Sequence, residues 1–82
     1  MPYTPTKYIN RYKYKLDKKK VGEKIASFRK SMNLSQEEFA ARLNISRTHI
    51  SNIEIGKTLP SLILLYNLSK EFSVSLVDFL EE

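Results

Sequence analysis

The chain has 82 residues, a formal net charge of +5 and no cysteine. It therefore holds one modest core, and it excludes a disulfide framework, a thiol nucleophile and a Cys-ligated metal. With His49 as its single histidine, a metal site is not expected either. The charge is unevenly placed: residues 1–20 hold seven cations against Asp17, whereas residues 21–82 hold seven against eight acids. The basicity belongs to an arm, and it suggests an anionic partner.

No apolar run approaches the roughly 18 residues of a membrane span; the longest, Leu62-Ile63-Leu64-Leu65-Tyr66, is far shorter. The start lacks the apolar core of a secretory signal, so a cytoplasmic location without membrane contact is expected. Residues 1–20, the Tyr/Lys-rich arm, hold Tyr3, Tyr8, Tyr12 and Tyr14, while all four phenylalanines lie beyond residue 27. Tyr12-Lys13-Tyr14-Lys15-Leu16 alternates like a strand, and Tyr8, Tyr12 and Leu16 recur at helical spacing. Strand, helix and disorder all remain open for the arm.

The body, residues 21–82, reads as short helices in succession. Val21, Ile25, Phe28 and Met32 form the apolar stripe of a first helix, which Asn33 stops in a left-handed conformation. Ser35-Gln36-Glu37-Glu38 is a capping box opening a helix at 35–43 with Phe39, Ala40 and Leu43 on one face. Asn44 and Ile45 make a turn. Ser46 then caps a helix over 46–55 with Ile50 and Ile53 inward, and Gly56 closes it. Pro60-Ser61 opens a fourth helix whose buried face is read as Leu62, Leu65, Leu68 and Phe72. Ser75-Leu76-Val77-Asp78 starts a short fifth. With Val74 and Phe79 also assigned to the core, Ile63, Leu64, Val77 and Leu80 are expected to face outward. That is more apolar surface than a small monomer shows, and a two-fold homodimer would cover it. Packing beneath the arm, or against a different protein, would cover it too.

Two helices as short as 35–43 and 46–55 must be held by their neighbours. The residues Leu34-Ser35-Gln36-Glu37-Glu38-Phe39-Ala40, Leu43-Asn44-Ile45-Ser46, Ile50-Ser51-Asn52-Ile53-Glu54 and Gly56-Lys57 resemble the helix-turn-helix domain of phage repressors and Cro-like regulators. The resemblance runs from about Val21 to Leu80. Arg47-Thr48-His49-Ile50-Ser51 with Ile53-Glu54 further resembles the recognition helix of restriction–modification controller proteins. The implied architecture is an all-α, five-helix lambda-repressor-like domain with a basic N-terminal arm.

The resemblance implies double-stranded DNA as partner, with helix 46–55 in the major groove. Arg47, Thr48, Ser51 and Asn52 would then meet base edges: Arg suits a guanine, Asn an adenine and the Thr methyl a thymine. Gln36, Ser46, His49, Lys57 and Thr58 would meet phosphates. Arg29 and Glu54 are expected to form a structural ion pair that sets the angle of this helix. Each polar position also has the plainer reading of a solvated helix surface. The expected function is sequence-specific transcriptional regulation. The rival is a protein-interaction module, such as an antitoxin or adaptor. No nucleophile–base pair or phosphate loop suggests an enzyme, and no cofactor or small-molecule ligand is expected.

Overall fold

The computed structural model describes residues 16–81. Expectations placed on residues 1–15, including the four arm tyrosines, lie outside them. The described residues form helices α1 (Lys18–Ser31), α2 (Gln36–Arg42), α3 (Arg47–Glu54) and α4 (Leu62–Phe72), then a 3₁₀ turn at Leu76–Phe79. Each start is capped. Asp17 accepts the Lys19 and Lys20 amides, so α1 begins inside the segment read as arm. Ser35 accepts the Glu38 amide at 3.0 Å while Glu38 accepts from Ser35 N–H at 2.8 Å. Ser46 and Ser61 accept the amides of His49 and Leu64. Asn33 (φ 59°), Asn44 (φ 58°) and Gly56 (φ 80°) hold the left-handed positions where the chain leaves α1, α2 and α3.

The core gathers one face from every element: Val21 and Ile25 of α1, Phe39 and Ala40 of α2 with Leu43, Ile50 and Ile53 of α3, Leu64, Leu65 and Leu68 of α4, and Phe79. The four phenylalanines meet around Phe28. Its ring is edge-on to those of Phe39, Phe72 and Phe79, with centroids 6.4, 5.5 and 5.5 Å away. Phe39 and Phe72 stack at 5.3 Å. This cluster ties α1, α2, α4 and the 3₁₀ turn together, leaving α3 supported from behind by α1 and α2.

Five expectations need correction. Leu64 is 6% exposed and belongs to the core, not to an outward face, whereas Leu62, read as core, is 71% exposed. With about 100° per residue, Leu64 lies about 40° from Leu68 around the axis and Leu62 about 120°; a period of three places the stripe one rim too far. Leu80 is likewise half-buried against the core rather than free. Met32 is exposed because α1 ends at Ser31 and Met32 is only its C-cap. The fifth helix is a single 3₁₀ turn. Ser75 accepts the Val77 amide through its hydroxyl and the Asp78 amide through its carbonyl, and the Leu80 amide bonds three residues back to the Val77 carbonyl at 3.0 Å, the spacing of a 3₁₀ turn.

Candidate nucleic-acid interface

α3 is eight residues long, and its placement depends on two close contacts with α1. Gly22 is the first. A Cβ there would collide with the Ile53 carbonyl oxygen and lie 2.9 Å from that of Glu54, so only glycine lets α1 cross the carboxyl end of α3. Glycine inside a helix costs about 1 kcal/mol relative to alanine, and this crossing is what requires it.

The second contact is polar. Arg29 donates from Nε to Glu54 Oε2 at 2.7 Å and from Nη2 to Oε1 at 3.0 Å, while Nη1 donates to the Leu34 carbonyl at 2.8 Å. Both side chains are nearly buried. The hydrogen bonds to Glu54 raise the Arg29 pKa further, so the guanidinium is permanently charged. Glu54 Oε1 also accepts from Gln36 Nε2 at 2.9 Å. One carboxylate on α3 therefore holds α1 and the first residue of α2. The Arg29–Glu54 pair is the one the resemblance implied; the third member carried no sequence signal, because positions 36 and 54 share no local pattern.

Held this way, α3 buries Ile50 and Ile53 and turns its other side to solvent. Arg47, Thr48 and His49 are exposed and Ser51 and Asn52 half-buried. Thr48 lies opposite the buried pair, flanked by Ser51 and Asn52, with Arg47 at the amino-terminal rim. Among the described residues none of the side chains of Arg47, Thr48, Ser51 and Asn52 makes a hydrogen bond or ion pair. Ile55, 66% exposed, continues the same surface one turn on; in the sequence it stands out only as the residue before Gly56.

The residues expected near phosphates divide. Lys57 and Thr58 are exposed, and their amides bond to the Asn52 carbonyl at 2.9 and 3.4 Å, folding the loop onto the end of α3. Ser46 is exposed but its hydroxyl oxygen caps α3. Gln36 is half-buried and its amide nitrogen is turned inward to Glu54, leaving its backbone N–H at the start of α2 and one side-chain N–H. Glu38, tied to Ser35 by the amide and hydroxyl of that residue, titrates below the ordinary glutamate range.

Away from α3, Leu62, Ile63 and Tyr66 (71%, 73% and 54% exposed) form an apolar strip on α4. Of the four residues expected on an outward apolar face, Ile63 and Val77 are exposed. Among the described residues no helix is long and apolar enough to cross a membrane, and no three metal-ligating side chains gather.

This arrangement has known counterparts. Residues 25–79 match a protein family described as helix-turn-helix. An uncharacterised HTH-type transcriptional regulator from Sinorhizobium fredii is 38% identical over 61 residues, covering 74% of this chain and 79% of that protein. The control protein C.MunI from a Mycoplasma species is 37% identical over 62 residues, with 74% and 84% covered. Two further relatives are matched over only 28% and 51% of their own length. The crystal structure of the restriction–modification controller protein C.AhdI from Aeromonas hydrophila superposes with a TM-score of 0.72 over 77% of this chain and 96% of that one, at 24% identity, a likeness of fold.

Proposed function

The chain belongs to the helix-turn-helix family, whose members are DNA-binding transcriptional regulators, and from that premise we propose that it binds a palindromic operator as a homodimer with α3 in the major groove. The observation that carries this reading is the outward surface of α3. Arg47, Thr48, Ser51 and Asn52 are polar, unengaged and presented by a short helix whose angle is set by Gly22 and by the Arg29–Glu54–Gln36 network. On this reading the Arg47 guanidinium would pair with guanine O6 and N7, and the Asn52 amide with adenine N6 and N7. Ser46, His49, Lys57, Thr58 and the amino terminus of α2 at Gln36 surround that surface and serve the phosphates.

Two-fold pairing through the α4 strip would set two copies of α3 about 34 Å apart on one side of the duplex. Leu62, Ile63 and Tyr66, with Val77, make up the proposed interface; Leu64 and Leu80 leave it for the core.

Selection of duplexes from a random-sequence pool by the full-length protein tests the proposal. The expected product is an inverted repeat with half-site centres about 10 base pairs apart. Arg47→Ala should lose about 1–3 kcal/mol and its preference at one guanine in each half-site. Failure to enrich any sequence overturns it. The α4 strip also favours a second reading, a module whose main partner is another protein, as in an antitoxin or adaptor; a tight complex with a cognate protein and no enriched duplex would establish that instead.

A further inference from the structure

The first turn of α1 is an unusual place to find lysines. Lys18, Lys19 and Lys20 occupy it, with no acid among them. The helix macrodipole disfavours cations there, and Asp17, just before, is occupied in capping the Lys19 and Lys20 amides. For α1 by itself this turn would be better neutral or acidic.

Its position explains what the charge can do. Gly56 has no side chain, and the α1 backbone fills the space: a Cβ on Gly56 would lie 2.8 Å from Lys19 Cα and 3.2 Å from Lys19 Cβ. The first turn of α1 is thereby pressed against the residue that ends α3. Lys57, the next residue, is exposed, as are Lys18 and Lys19. The Lys19 backbone, 38 positions before Lys57 in sequence, thus lies beside Gly56, the residue that Lys57 follows, at the carboxyl end of α3. Lys70, on α4, lies over the Tyr66 ring.

We propose that Lys18 and Lys19 of α1 and Lys57 of the α3–α4 loop form a single phosphate-binding surface that grips the DNA backbone beside the groove read by α3. This rests on the regulator reading above. Lysine is well suited to such a surface, because a compact charge on a flexible stem neutralises a phosphate without demanding one geometry. Because the Lys19 backbone packs on Gly56 and Lys57 follows it directly, both segments hold a fixed place beside the end of α3. It extends the contact outward from the helix-turn-helix and adds affinity without adding base preference.

The test compares the full-length protein with its K18Q/K19Q/K57Q variant on a 30-base-pair duplex recovered from a random pool by the wild type. The slope of log affinity against log salt should become shallower by about 0.9 for each contact removed, about 2.7 for all three. The affinity ratio between the selected duplex and a scrambled one should stay the same. The unfolding midpoint should change little, since the same cations sit unfavourably at the amino end of α1 and favourably at the carboxyl end of α3. A slope equal to that of the wild type, in a variant that still folds, overturns the proposal while leaving the regulator reading intact. Recovery of no duplex by the wild type overturns both.

Discussion

Gln36 gives an amide N–H to Glu54, 18 residues later, and the same carboxylate is held by Arg29. The start of the first motif helix and the end of the second are therefore fixed to one another and to α1. The arrangement predicts unequal costs. Glu54→Ala leaves the nearly buried guanidinium with only the Leu34 carbonyl and should destabilise by about 3–5 kcal/mol. Gln36→Ala removes one hydrogen bond and should cost about 0.5–1.5 kcal/mol. Urea unfolding of both variants checks the order; equal costs would mean that the ion pair carries little.

At Gly22, replacement by alanine should destabilise even though alanine is the better helix former. The gain of about 1 kcal/mol in propensity is opposed by a methyl group driven into the Ile53 carbonyl, and overpacking of this kind costs typically about 1–3 kcal/mol. Since α1 must shift from the end of α3, affinity for the selected duplex should fall more than stability alone explains. Denaturant titration and binding on the same samples separate the two.

The α4 strip and its buried neighbour should respond oppositely to the same change. Leu62→Glu with Ile63→Glu alters only exposed positions, so the protein should stay folded and sediment as a monomer. Leu64→Glu places a carboxylate in the core and should abolish folding. A persistent dimer in the first variant would place the two-fold contact elsewhere.

The capping box supplies a pH dependence. The folded-state pKa of Glu38 is depressed by its bonds to Ser35. Its contribution is therefore complete above the unfolded glutamate pKa and is lost as pH falls through the lower folded value. Ser35→Ala, which removes the hydroxyl, should cost about 1 kcal/mol at neutral pH. The gap between the variant and wild type should narrow in acid. A gap independent of pH would show that Glu38 is not coupled to the cap.

Much of this was readable from residue types because the local signals agree with one another. Ser35 and Glu38, Ser46, Ser61, Asn33, Asn44 and Gly56 mark helix ends through their own side chains or their own φ, and short-range chemistry is what a sequence displays. The outward surface of α3 followed from Ile50 and Ile53 by simple rotation. The failures are of another kind. A run of Leu62-Ile63-Leu64-Leu65 is apolar on every side, so its periodicity does not say which side is inside; the aromatic cluster around Phe28 decides that. Asp17 looked like part of the arm because charge, not capping, drew the boundary. The Gln36–Glu54 bond and the seat of Lys19 on Gly56 depend on how α1 crosses α3, which no segment encodes by itself.

The unengaged side chains of α3 have a consequence for how such a protein changes over generations. Arg47, Thr48, Ser51 and Asn52 contribute no hydrogen bond or ion pair to the fold among the described residues, while the helix that carries them is held by Ile50, Ile53 and Glu54 from the other side. On the proposed reading, target preference and stability are thus written on different residues of the same two turns. Under that reading a lineage can exchange the outward four, and with them the operators it binds, without passing through an unstable intermediate.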